Sequence, residues 1–83
     1  MSDVIELVKI ERQRQILKCG GANLDDQHSI LDFVQLIEDY AGWARTMAGM
    51  HSMDRAKNRL IQVAALAVAA VEVIDRINEE TKP

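Results

Sequence analysis

An apolar, alanine-rich segment in the last third of the chain most constrains what it can fold into. Between Leu60 and Ile77, apolar residues point in nearly every direction around a helix, and the run 63–71 contains no polar residue. A helix that is apolar on all sides is buried, because none of its faces suits water. The run is far shorter than the roughly 18 residues typical of a membrane-spanning helix. We therefore expect a buried helix in a protein without membrane segments.

The remaining sequence also predicts helices, and no segment alternates polar and apolar residues as a half-buried strand does. The chain has 83 residues, four glycines and a single, terminal proline. We predict one all-α domain over residues 1–83, with helices at about 3–18, 26–50 and 53–78. The predicted end signals are an Asp3–Glu6 capping box, a Gly20–Gly21 stop, a cap at Asp25 or Asp26 and a cap at Ser52.

The apolar content predicts association. Apolar residues make up 48% of a chain whose own core is expected to be small. The second helix carries two apolar stripes, which predicts packing on two sides. The first stripe consists of Ile30, Phe33/Val34, Ile37, Ala41, Ala44 and Ala48. The second consists of Leu36, Tyr40, Trp43 and Met47. A three-helix monomer cannot cover the third helix on every side. We predict a helical bundle completed by oligomerisation, most simply a homodimer through helices 2 and 3.

Charge and cysteine content exclude several classes of protein. The net charge is −3, and the densest basic group, Lys9, Arg12, Arg14 and Lys18, is interleaved with glutamates, as on a solvated helix face. This disfavours nucleic-acid binding, which needs clustered cations. Cys19 is the single cysteine, so no internal disulfide is possible. The N-terminus lacks the pattern of a signal peptide, and we expect a cytoplasmic protein.

Two adjacent carboxylates, Glu38 and Asp39, interrupt the apolar pattern of the second helix. They either bind Mg²⁺, which prefers oxygen ligands, or are solvated or ion-paired. Arg59 and Gln62 share a face of the third helix. They either contact a ligand or pair with the two carboxylates across the bundle, and the pairing is favoured.

Other chemical signals are weaker. Glu72 and Asp75 are also candidate metal ligands, but their place near the polar end of the helix favours surface charges. The sequence lacks three common catalytic or binding patterns: zinc-type ligand spacing, a glycine-rich phosphate loop and a Ser/His/Asp set. The residues therefore assign no catalytic group.

Three segments together resemble a known family. They are ERQRQ at 11–15, IEDYAGWA at 37–44 and RLIQVAALAVA at 59–69. In their order and spacing the chain resembles, from about Ile10 to Glu72, short phage- and mobile-element-associated proteins related to MazG-type all-α nucleoside-triphosphate pyrophosphohydrolases. The resemblance implies a helical oligomer that binds nucleotides, in which acidic residues on two helices hold Mg²⁺ and, through it, the substrate phosphates.

The acidic motifs of that family are only partly matched. Glu38 and Asp39 match its acidic pair, whereas Gly42, Arg59 and Gln62 stand where three further acidic residues are expected. A guanidinium at Arg59 opposes a divalent cation, and it suggests a built-in cation in place of the metal. We therefore expect a non-catalytic module that binds a nucleotide or a host protein. The alternatives are a Mg²⁺-dependent pyrophosphohydrolase, with Glu72 and Asp75 as a displaced acidic pair, and a purely structural oligomer.

Overall fold

The computed structural model describes residues 3–18 and 30–81, which form three α-helices and no strand. Helix α1 spans Val4–Lys18, α2 spans Ile30–Gly49 and α3 spans Met53–Thr81. The predicted all-α class is confirmed, and α3 continues three residues beyond its predicted end. The predicted signals at Gly20–Gly21 and Asp25 or Asp26, and the predicted start of the second helix, lie outside the described residues.

The predicted cap of the first helix is present. Oδ1 of Asp3 accepts hydrogen bonds from the backbone N–H groups of Ile5, at 3.1 Å, and of Glu6, at 3.3 Å. These donors belong to the first turn, where a helix offers them no internal acceptor. A single side chain therefore fixes where α1 begins.

A tight corner joins α2 to α3. The N–H of His51 bonds to the Ala48 carbonyl at 3.0 Å, and the N–H of Ser52 bonds to the Met47 carbonyl at 2.9 Å. This pair of bonds is the Schellman motif, which requires a left-handed residue just past the helix. His51 fills that position with a φ of 59°. Ser52 directly precedes α3, and its carbonyl accepts the N–H of Ala56 at 3.0 Å.

The main core lies between α2 and α3. Phe33 of α2 is buried against a cluster of α3 side chains, namely Leu66, Ala69, Ala70 and Val73. Members of both predicted α2 stripes pack on this cluster; they are Ile30, Leu36, Ile37 and Tyr40. The two stripes are adjacent on the helix and merge into one broad apolar face. Within the chain, α2 therefore packs on α3 through this face, and packing of α2 against a second copy stays a prediction.

Helix α1 packs mainly on α3 and is tied to it by polar contacts. Nε of Arg12 lies 3.2 Å from Oε1 of Glu72. Nε2 of Gln15 donates to the Gln62 carbonyl at 3.5 Å. α3 is therefore the central helix, with α1 and α2 covering two of its sides.

The third side of α3 is open within the chain, and the sequence predicts that a second subunit covers it. Ala65 and Ala69 are 0% and 1% exposed, whereas Leu60 and Val71 are each 56% exposed. Two neighbours cannot enclose a helix completely, so an apolar face stays in contact with solvent. None of the helices in the described ranges combines the length and the hydropathy needed to cross a bilayer.

Candidate functional site

Arg59 lies at the centre of a cluster between α2 and α3. Its guanidinium carbon is 4.8 Å from the ring centroid of Trp43 and 5.7 Å from that of Tyr40. The two rings are 5.0 Å apart and tilted by 31°. Nη1 of Arg59 donates to Oε1 of Gln62 at 3.1 Å. We call these four residues the Arg59 cluster; cation–π contacts and one amide hold its guanidinium in place.

Helical spacing explains how the cluster forms. Tyr40 and Trp43 are three residues apart on α2, and Arg59 and Gln62 are three apart on α3. Residues at this spacing lie on one face of a helix, so each helix presents a pair of neighbouring side chains. Packing of α2 on α3 brings the two pairs together. The aromatic partners of Arg59 were missed from the sequence, because both rings were assigned to an apolar stripe.

The predicted partners of Arg59 lie elsewhere. Oδ1 of Asp39 accepts a hydrogen bond from Nε2 of Gln35 at 3.0 Å on the exposed side of α2, and Glu38 is exposed. Within the described residues, neither carboxylate lies within 4.0 Å of the Arg59 guanidinium. The structure therefore brings Arg59 and Gln62 together but not Arg59 and the acidic pair.

An open cleft of about 420 Å³ adjoins the cluster. It is lined by Met47, Arg55, Asn58, Arg59 and Gln62. Two arginines and two residues with side-chain amides thus line one space, and their side chains carry many hydrogen-bond donors. Sequence reasoning missed Arg55 and Asn58, although their spacing of four from Arg59 and Gln62 was a usable signal. Such a lining is suited to an anion.

The polar centre of α1 reaches the same region. Arg14 donates from Nε and Nη2 to the Glu11 carboxylate, both at 3.0 Å. These bonds, and then the charge of Glu11, raise the pKa of Arg14, with a smaller effect from Tyr40. Nε2 of Gln15 bonds to Oε2 of Glu11 at 3.3 Å and reaches the Gln62 carbonyl. The three segments quoted for the family resemblance therefore meet in the structure.

The remaining acidic candidates are placed on other surfaces. Glu72 faces α1 and pairs with Arg12, whose side chain is 12% exposed. Asp75 is exposed on α3. Across residues 3–18 and 30–81, no group of three or more His, Cys, Asp or Glu side chains is arranged to hold a metal ion.

Comparison of the chain with protein-family models, with curated proteins and with solved structures finds no match. The resemblance to MazG-type proteins therefore rests on the three sequence segments alone and stays an expectation.

Proposed function

We propose that this protein is a small MazG-like helical module that binds a nucleotide without hydrolysing it. The observation that carries the proposal is the cleft lined by Arg55, Asn58, Arg59 and Gln62. Guanidinium groups form charge-assisted, often bidentate hydrogen bonds to phosphate oxygens. Two arginines one helical turn apart suit the several negative charges of a nucleoside di- or triphosphate.

The aromatic rings support a nucleotide rather than a simple anion. Trp43 is 47% exposed, and Arg59, which lines the cleft, lies over its ring. Exposed aromatic rings are stacking surfaces for bases, worth about 1–3 kcal/mol per base. Phosphates on the arginines and a base on Trp43 would use both parts of the site.

The position of Arg59 supports binding without catalysis. In the resembling family, Arg59 and Gln62 occupy places where acidic metal ligands are expected. A guanidinium held over two rings repels a divalent cation at short range. It also offers the phosphates the positive charge that Mg²⁺ otherwise supplies. Mg²⁺ is therefore not part of the proposed resting site.

Trp43 provides a direct assay, because it is the single tryptophan of the chain. Nucleoside mono-, di- and triphosphates and inorganic pyrophosphate are titrated in EDTA and in Mg²⁺, with Trp43 fluorescence as the readout. We expect saturable quenching by nucleotides in EDTA, weaker binding of pyrophosphate, and tighter binding with more phosphates. Arg59→Gln and Arg55→Gln should each weaken binding at least about tenfold, since a hydrogen bond to a charged group contributes roughly 1.5–3 kcal/mol.

Arg45→Gln is the matched control, because Arg45 is exposed on α2 and does not line the cleft. It removes the same charge and should leave the affinity unchanged. If all three arginine substitutions weaken nucleotide binding equally, the effect depends only on the net charge of the protein, and the proposed site is refuted. Binding that requires Mg²⁺ and is lost in Glu38→Gln would favour the enzyme alternative instead.

Self-association is the second part of the proposal, and the open face of α3 favours it. The sequence predicts a dimer through helices 2 and 3. Members of both α2 stripes pack on α3 within the chain, and α3 carries more of the exposed large apolar side chains than either α1 or α2. A host-protein partner, the other ligand class expected from the sequence, stays a prediction.

A further inference from the structure

The open face of α3 carries a regular pattern. Starting at Met53, the positions on this face are spaced alternately by four and three residues; they are Met53, Lys57, Leu60, Ala64, Ala67, Val71, Ile74 and Asn78. This alternation is the a/d pattern of a coiled coil, which turns one line of side chains toward a partner helix. We call these eight residues the outer seam. At 1.5 Å per residue the seam is roughly 37 Å long.

The outer seam is exposed where its apolar side chains are large. Met53 is 59% exposed, Leu60 and Val71 are 56% exposed, and Ile74 is 40% exposed. The middle positions, Ala64 and Ala67, are small and half-buried. A long apolar row of this kind is unusual on the surface of a monomer and indicates an interface.

The first half of the outer seam forms the floor of an apolar groove of about 370 Å³. Met53, Lys57, Leu60 and Ala64 lie in it, with Val4 and Val8 of α1 and Ala48 of α2 also among its lining residues. The second half, with Val71 and Ile74, does not line this groove. Each chain thus has a groove at one end of the seam and exposed apolar side chains at the other.

We infer that the outer seam is a homodimer interface in which α3 packs antiparallel against α3 of a second copy. In this arrangement Ala64 lies opposite the partner's Ala67, and Leu60 lies opposite the partner's Val71. The second half of each seam enters the groove of the other copy. A two-fold axis repeats every contact, so both grooves are filled at once. The small central residues let the two helices approach closely.

Charge selects the antiparallel orientation. Lys57 lies opposite the partner's Ile74, next to the partner's Asp75, so opposite charges meet at both ends of the dimer. A parallel dimer instead places Lys57 opposite the partner's Lys57 and leaves the partner's Asp75, 18 residues along the helix, about 27 Å away. Like charges in contact disfavour that pairing, and complementary ones favour the antiparallel one.

The first test is the mass in solution, measured by light scattering across the micromolar range. The natural chain should be a dimer, and Val71→Glu should be a helical monomer by circular dichroism. Leu31→Glu is the control, because Leu31 is an 80% exposed apolar residue on α2, away from the seam; it should stay dimeric. A monomeric natural chain, or a dimeric Val71→Glu, overturns the inference.

The second test reads the register by disulfide formation in a Cys19→Ser background, which removes the natural thiol. Leu60→Cys and Val71→Cys are oxidised separately and as a refolded mixture. The mixture should form a covalent heterodimer. Neither variant should cross-link alone, because like positions are about 16 Å apart along the antiparallel pair, beyond disulfide reach. Cross-linking of each variant to itself would indicate a parallel dimer, and no cross-linking at all would indicate a different face; both refute the register. This inference is independent of nucleotide binding.

Discussion

Replacing His51 with glycine should stabilise the protein. His51 is the single non-glycine residue with a positive φ in the described ranges, at 59°, and its side chain is exposed. The corner needs this backbone geometry, because the N–H groups of His51 and Ser52 both bond back to the last turn of α2. His51→Gly keeps these bonds and removes the imidazole together with the crowding between Cβ and the backbone.

The expected gain follows from two opposing contributions. A residue with a Cβ costs roughly 1–2 kcal/mol in the left-handed region. Glycine loses more conformational freedom on folding, which offsets about 0.5–1 kcal/mol of that gain. The net increase in the free energy of unfolding is therefore roughly 0–1.5 kcal/mol, with a value of about 0.75 kcal/mol from the midpoints of the two ranges. In a domain of this size, each 1 kcal/mol corresponds to about 4–8 °C in Tm.

The assay is urea unfolding followed by circular dichroism, at one fixed protein concentration because dimerisation itself affects stability. His51→Ala is the matched control, since it removes the imidazole and keeps the Cβ. We expect the order of stability to be glycine first and then the two residues with a Cβ. If His51→Gly is no more stable than His51→Ala, the left-handed geometry does not strain this corner and the reasoning fails.

Three further predictions use other positions. Gly42→Ala should raise the free energy of unfolding by about 0.5–1 kcal/mol in the same assay, because Gly42 is inside α2 and an added Cβ meets no atom within 4 Å beyond its adjacent residues and the backbone of its own helix. A loss of stability would show that a neighbour occupies this space. Ala69→Glu should abolish soluble, folded protein, because Ala69 is 1% exposed and an unpaired buried charge costs several kcal/mol; a soluble helical variant would contradict the core. Mg²⁺-dependent pyrophosphate release should be absent with all common nucleotides, and a robust activity lost in Glu38→Gln would establish the enzyme alternative.

The parts of the fold that depend on local sequence were predictable. The helices follow from apolar periodicity, and the start of α1 follows from the short reach of Asp3 to the next residues. The arrangement of α2 was not predictable, because its two stripes are neighbours on the helix. A list of apolar positions does not distinguish two faces from one broad face. That distinction depends on which side of α2 meets α3.

The candidate site was predictable only in part. Arg59 and Gln62 were identified from their spacing and from the family resemblance. Their contacts with Tyr40 and Trp43 depend on the rotation of α2 against α3, which the packing of Phe33 in the core sets. The left-handed turn at His51 had only a weak sequence signal, because few non-glycine residues adopt a positive φ, although histidine does so more often than most.

The central position of α3 has a consequence for how the molecule opens. α2 and α3 share the main core and a hydrogen-bonded corner, whereas α1 is attached mainly through one side of α3. Segments with few buried contacts unfold locally at a lower free energy than the core. Backbone amides of α1 should therefore exchange with solvent through an opening that leaves the α2–α3 hairpin folded. That opening would release Gln15 from Gln62 and would remove one wall of the apolar groove in which we place the partner's α3. Because the dimer needs this wall, dimerisation should slow hydrogen exchange in α1 more than in α2.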